Sequence, residues 1–263
     1  MNVSRKIVGI AAPLALALAA STASAAAYSI NWMQMTPTAF GSAPGFSSNY
    51  NLPGIGIVNM TYSANPFLNE VRAQTPAIVT GNVTSGPDTF SWTNHEHLAR
   101  LNSAGPGPNV LQSWFVTYTF PSAVPAGTVA LGVAGLGRRN PTNPGETAFD
   151  TTSTATVLQN GLFLGDWTNG NNWGATQFTS GAGTFSMQNS VTGNGGADPW
   201  WNTGLGVVQI MDNTNSLTVR FNHTSGDGFG VNIGVITPAP GSIALLGVGG
   251  LVCTRRRRTQ VNR

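Results

Sequence analysis

Ser113-Trp114-Phe115-Val116-Thr117-Tyr118-Thr119-Phe120, SWFVTYTF, is the stretch that decides the fold class. Large apolar and polar positions alternate along it, the period-two pattern of a strand with one buried face. Downstream, Thr128–Leu136 (TVALGVAGL) is a second strand run and Thr154–Leu158 a third. Gly161–Leu164 is expected to pair with the third across an Asn160-Gly161 turn, a strong hairpin signal. Gln177–Met187 holds two weaker strands around Gly181–Gly183. Gly204–Met211, Ser216–Asn222 and Phe229–Ile236 close the body. Asp212-Asn213-Thr214-Asn215 and Thr224-Ser225-Gly226-Asp227-Gly228 read as the turns between them.

Upstream the pattern thins. Residues 28–66 are rich in Pro, Gly, Ser and Asn and read as irregular, with strands at Tyr28–Met33 and Gly56–Tyr62. Ala77–Val83 is a further strand candidate. Thr93 and Glu96 have the spacing of a capping box, Leu98 and Leu101 follow at a three-residue interval, and Gly105-Pro106 stops the run. A short helix is therefore expected over Asn94–Asn102. Many short strands with regular turn punctuation define an all-β, antiparallel β-sandwich, jelly-roll-like. No repeat at a fixed period points to a propeller or solenoid.

The ends differ from the body. Arg5 and Lys6 precede an apolar run of about 14 residues, Ile7–Ala20, and Ala23-Ser24-Ala25 then offers the small-x-small pattern of signal peptidase. The run is shorter than the ~20 residues of a spanning helix. A signal peptide over residues 1–25 is expected, cut after Ala25. At the other end, Thr237-Pro238-Ala239-Pro240-Gly241 reads as a rigid break. The apolar stretch Ser242–Cys253 follows, and then Arg255, Arg256, Arg257 and Arg258. Arginines beside an apolar segment stay cytoplasmic. A helix over that stretch spans ~18 Å at about 1.5 Å per residue, against a ~30 Å hydrocarbon core, which suits transient membrane insertion better than permanent anchoring.

This tail resembles the PEP-CTERM sorting signal, in the form where Pro-Ala-Pro-Gly precedes a short Leu/Gly-rich segment and an arginine run. The resemblance covers about the last 22 residues and does not extend to the body. Ala239 stands where the family usually carries Glu. The resemblance implies processing by an exosortase-type transpeptidase, and a cell-surface or extracellular location in a bacterium with an outer membrane. Without it, the same tail reads as an ordinary anchor with a positive cytoplasmic end. Residues 26–236 then form one β-sandwich domain, and 237–263 the sorting tail, with terminal signal and sorting helices.

Composition narrows the function of the body. Seven of the twelve basic residues lie in the terminal signals, and Arg72, Arg100, Arg138, Arg139 and Arg220 face nine acids. A net negative body excludes nucleic acid as a partner. The single cysteine, Cys253, is in the tail, so the body has neither disulfide nor thiol chemistry. Seven Trp and twelve Phe argue for a packed rather than disordered chain.

Chemical motifs are sparse. His95-Glu96-His97 lacks the His-Glu-x-x-His spacing of a zincin. On a helix its histidines lie about 200° apart, whereas on a strand they share a face. No Gly-x-Ser-x-Gly elbow is present. Glycosidases need two placed carboxylates. Glu70, Glu96, Glu146 and six Asp supply acids, but nothing marks a pair. Asp212 and Asp227 in acidic turns are candidate ligands for a structural calcium, against simple Asx turns; no other cofactor is indicated. Trp167, Asn169, Asn171 and Trp173 set rings among amides in one loop, and Trp201 sits in another. Such a mix suits sugar contact, by ring stacking and amide hydrogen bonds. The body is therefore expected to be a non-catalytic surface or matrix protein that contacts extracellular polysaccharide, the alternative being a secreted, glycoside-active hydrolase.

Overall fold

The computed structural model describes residues 28–35, 38–40, 47–63, 68–74, 82–85, 88–91, 96–101, 111–137, 153–167, 175–190, 203–223 and 229–238. Among these residues the chain is all strand and turn. In order, the strands are β1 (Tyr28–Trp32), β2 (Thr38–Phe40), β3 (Ser47–Leu52), β4 (Gly56–Tyr62), β5 (Leu68–Gln74) and β6 (Asn82–Ser85). There follow β7 (Asp88–Ser91), β8 (Glu96–Leu101), β9 (Gln112–Val124), β10 (Val129–Ala134), β11 (Ser153–Val157) and β12 (Gly161–Trp167). The last five are β13 (Thr176–Gly181), β14 (Thr184–Asn189), β15 (Leu205–Ile210), β16 (Thr214–His223) and β17 (Phe229–Pro238).

They form two antiparallel sheets. One has eight strands, ordered β12-β15-β10-β17-β8-β5-β2, with β1 also paired to β17. The other has seven, ordered β13-β14-β11-β16-β9-β4-β3, and β6 and β7 make a separate hairpin. The alternation in SWFVTYTF has the expected result: Trp114, Val116, Tyr118 and Phe120 are buried, while Ser113, Phe115 and Thr119 are exposed. β16 is the neighbour of β9 and alternates in step, with Leu217, Val219 and Phe221 inside. Trp114 and Phe221 face each other across that pair, their ring centroids 6.1 Å apart.

One buried cluster draws on both sheets. Leu131, Val133, Val208 and Ile233 of the eight-stranded sheet join Val116, Tyr118, Val219 and Phe221 of the other. Burying side chains of this size contributes about 1.5–3 kcal/mol each. At one edge the rings of Phe163 on β12 and Phe178 on β13 stack at 5.3 Å, and Phe178 meets Phe185 at 5.6 Å. The eight-stranded sheet is covered on its other face as well. There Trp32 joins Ala130, Ala134, Leu205, Val207 and Ile236 in a second cluster. Its indole lies against Gly132 and Gly234, where an added Cβ would stand 2.8 Å and 3.0 Å from ring atoms. That double burial is why β10 reads as an unbroken apolar run. The seven-stranded sheet keeps a polar, solvent-facing outer surface.

Several expectations need correction. Glu96–Leu101 is strand β8, not the body of a helix over Asn94–Asn102, and pairs with β5 and β17. A capping box is a local signal, and ladder bonds to two neighbouring strands outweigh it. β11 and β12 do not pair across Asn160-Gly161: they lie in different sheets, and the chain crosses from one to the other there. Asn160 serves the crossing with all its polar groups. Its N and Nδ2 donate to Asp212, its Oδ1 accepts from Gly183 N, and its carbonyl accepts from Met211 N. Gly161 is required by a close approach to Phe185 and Val208. The hairpin in this region is β13–β14, closed at Gly183 with φ of 69°.

The stretch read as irregular also holds β2 and β3, the latter paired to β4 through a turn at Gly54, φ 83°. β5 and β7 lack any alternating signal that would have announced them. Thr214 and Asn215 begin β16 rather than complete a turn. Thr237 and Pro238, the start of the expected break, are the last residues of β17, opposite Ser29 and Tyr28. Pro238 has no amide hydrogen to carry the ladder further. The expected terminal helices lie outside the described residues, among which no helix is long and apolar enough to cross a membrane.

Candidate functional site

The outer surface of the seven-stranded sheet presents rows of hydroxyls and amides that follow from strand register. Thr61, Thr117 and Thr218 form one row across β4, β9 and β16. Ser113, Asn222, Thr154 and Gln188 form another across β9, β16, β11 and β14. Hydrogen bonds knit the rows: Thr117 and Thr218 hydroxyls meet at 3.0 Å, and Asn59 Nδ2 donates to Asn49 Oδ1 at 2.8 Å. Between the two long rows Phe115, Arg220, Thr156 and Ser186 stand in line.

A cleft of about 500 Å³ opens on this surface. It exists because β11 stops at Val157 and the chain leaves for the other sheet, so the start of β16 lacks a full neighbour. The register shifts at the same place, with Thr214 opposite Val124 but Ser216 opposite Thr119, so the surplus residues of the irregularity are on β9. Leu158, Gln159, Phe115 and Arg220 line the cleft together with Thr156, Ser216 and Thr218. Phe115 is 41% exposed and Leu158 81%. Gln159 Nε2 is held by Thr214 Oγ1 at 2.7 Å and the Ser216 carbonyl at 3.1 Å.

Among the described side chains, Arg220 is the one charged group on this surface. Its Nε donates to Asn222 Oδ1 at 3.1 Å. Asn222 is itself fixed from both flanking strands: Ser113 Oγ donates to Oδ1 at 2.6 Å, and Nδ2 donates to Thr154 Oγ1 at 3.3 Å. A half-exposed ring, hydroxyls, an amide and a guanidinium can hold a polar ligand.

The two carboxylates whose side chains are described lie elsewhere. Asp212 accepts from Asn160 N at 2.7 Å and Asn160 Nδ2 at 2.9 Å, which holds its carboxyl below the usual range. Asp166, on β12, accepts from Thr176 N on β13 at 2.8 Å and so ties the edges of the two sheets together. Its Oδ1 is buried without a hydrogen-bond partner among the described residues. Burial pushes its pKa up, and the hydrogen bond from Thr176 N opposes the shift.

Trp167 ends β12 opposite Leu205. Asn169, Asn171, Trp173 and Trp201, the rest of the expected sugar contacts, lie outside the described residues, as do Asp227 and His95. His97 is on β8, opposite Ala73 and Val231. Among the described residues no three His, Cys, Asp or Glu side chains gather as metal ligands. Of the sorting motif, Pro238 is in β17, and Ala239, Pro240, Gly241 and Arg255–Arg258 lie outside. Sequence reasoning missed Phe115 and Arg220 as a site. The available signal was an aromatic and an arginine in the outward phase of strands whose outward neighbours on either side are Ser, Thr and Asn.

No family model, curated protein or solved structure matches this chain.

Proposed function

We propose that the chain is an exported, non-catalytic cell-surface or matrix protein that contacts glycans through the outer surface of its seven-stranded sheet. The observation that carries the reading is that surface: register-ordered hydroxyls and amides around a cleft walled by an exposed aromatic ring. Sugars present hydroxyl edges and apolar C–H faces, and the cleft offers a partner for each. The body is a jelly-roll-like sandwich in this reading. Supporting it, β13–β14, β12–β15, β11–β16 and β10–β17 are nested antiparallel pairs. Successive pairs alternate between the sheets, as when one long hairpin is folded over itself.

Export rests on the sequence patterns at the two ends, with signal peptidase and an exosortase-type enzyme as processing partners. In the fold, β1 begins three residues after the expected cut, with Tyr28 opposite Pro238. Intact mass of the surface-released protein should show a start near Ala26 and loss of Arg255–Arg258. Retention of the whole arginine tail in that fraction would overturn the sorting reading.

The glycan reading is tested by pull-down on insoluble and extracellular polysaccharides beside a glycoside-hydrolase screen. Retention without turnover is expected. Phe115→Ala should abolish retention while stability changes by less than ~0.5 kcal/mol, as for most surface substitutions. Turnover of a glycoside by the purified chain would establish the hydrolase alternative instead.

A further inference from the structure

We infer that the cleft at Phe115 and Arg220 selects carboxylate-bearing glycans, that is, polyuronate chains, over neutral ones; this rests on the glycan reading above. Arg220 stands near the middle of the sheet, opposite Phe115 on one side and Thr156 on the other. No carboxylate pairs with it among the described residues. A guanidinium carries five N–H donors. One of them, at Nε, is committed to Asn222, whose own orientation is set by Ser113 and Thr154. The ring of donors is thereby fixed in direction, while the four N–H groups on its two terminal nitrogens remain for a ligand. Two parallel N–H groups match the two oxygens of a planar carboxylate, a geometry a lysine cannot offer.

The surroundings decide between anions. The cleft has one cation among neutral donors, which fits one negative charge per sugar. A polymer with several sulfates per sugar, such as dextran sulfate, places more charge in the same space and would want more cations, and a sulfate is not the planar two-oxygen partner that a carboxylate is. The body as a whole is net negative, which opposes a polyanion at a distance. Screening confines that repulsion to within about 10 Å at 0.1 M salt, so local contacts govern the cleft. Phe115 and Leu158 give the sugar apolar surface in the cleft, and Thr156, Ser216 and Thr218 offer partners for its hydroxyls. Asn222 is then a positioning residue and Arg220 the anchor.

The test uses the full chain in affinity electrophoresis through polygalacturonate, its methyl-esterified counterpart and dextran sulfate. Polygalacturonate should retard the protein about tenfold more strongly than the ester, and 0.5 M sodium chloride should erase the difference. Arg220→Gln should remove the preference, so that acid and ester retard the variant equally; Arg220→Lys, with the charge but not the fork, should fall between. Equal retardation by acid and ester, or a preference that survives Arg220→Gln, overturns the inference and leaves the glycan reading standing. Retardation by dextran sulfate as strong as by polygalacturonate overturns the carboxylate assignment in favour of general anion binding. If no polysaccharide retards the chain, the inference and the glycan reading fail together.

Discussion

Gly161→Ala tests the crossing between the two sheets. An alanine Cβ at this position would lie 2.6 Å from Phe185 Cδ1, 2.7 Å from Val208 Cγ1 and 2.8 Å from Phe185 Cε1. Carbon atoms in good contact sit about 3.5–4.0 Å apart, so each overlap is roughly 1 Å. Phe185 is 1% exposed and Val208 is fully buried, so neither can swing into solvent. Overpacking of this kind costs about 1–3 kcal/mol. Replacing glycine also stiffens the unfolded chain, which returns about 0.4–1 kcal/mol. The net expectation is a loss of about 1–2 kcal/mol, and a Tm lower by roughly 2–8 °C for a body of this size.

Urea unfolding followed by tryptophan fluorescence should show a lower midpoint at an unchanged slope. Val208→Ala removes one of the clashing atoms. The double variant should therefore be more stable than the sum of the single changes by at least about 0.5 kcal/mol. A hairpin glycine would behave differently, because strain in a left-handed turn would not respond to Val208. Among the described residues, the six glycines of positive φ do not include Gly161. A Gly161→Ala variant as stable as the parent would refute the steric account, and strictly additive losses would refute the contact with Val208.

Other consequences are open to measurement. Tyr118 is fully buried, its Oη has no hydrogen-bond partner among the described residues, and burial, with Tyr50 nearby, drives its pKa far up. Tyr118→Phe should therefore be neutral or stabilising by up to about 1 kcal/mol in urea unfolding, and a clear loss would reveal a partner. Asp166 has a folded pKa raised above its unfolded value, so its contribution is best below the unfolded pKa and is lost as pH rises through the folded one. Asp166→Asn keeps an acceptor for Thr176 N and removes the titration; its urea midpoint should gain on the parent's as pH rises, and parallel profiles would count against this. Asp212 is the opposite case, depressed by the Asn160 side chain and then its amide, so its contribution is present above the unfolded pKa and lost as pH falls through the folded one. Carboxyl carbon resonances should titrate below the ordinary range for Asp212 and return towards it in Asn160→Ala.

How much could be read in advance follows from which sheet a strand joins. β9 and β16 each have one wet face, so their sequences alternate, and the expected Ser113–Phe120 and Ser216–Asn222 both lie inside the observed strands, although β9 runs on to Val124. β10 is buried on both faces and is recognisable only as an apolar run with a glycine, whose reason is the Trp32 ring from the other end of the chain. Partners were not legible. Asn160-Gly161 is a hairpin signature by composition, yet its side-chain bonds to Asp212 and the contact of Gly161 with Phe185 are set by distant segments. The same holds for Glu96–Leu101, where pairing with β5 and β17 overrides a local capping pattern.

The candidate site shows the same division. Sequence reasoning sought sugar contacts where aromatics crowd into loops, at Trp167, Trp173 and Trp201. Phe115 was passed over because it sits inside a strand, although its phase, shared with Ser113, Thr117 and Thr119, already pointed it outward. Arg220 shares the outward phase of Thr218 and Asn222 in the same way. No local pattern could reveal that β9 and β16 are neighbours in the register that sets Phe115 opposite Arg220. That register is fixed from the buried side. A slip of one residue would turn Trp114, Val116 and Tyr118 out of the core and draw Ser113, Phe115 and Thr117 in. The packing of Trp114 on Phe221 within the core therefore holds the ring and the guanidinium in place on the surface, and the site inherits its geometry from the apolar face it does not share.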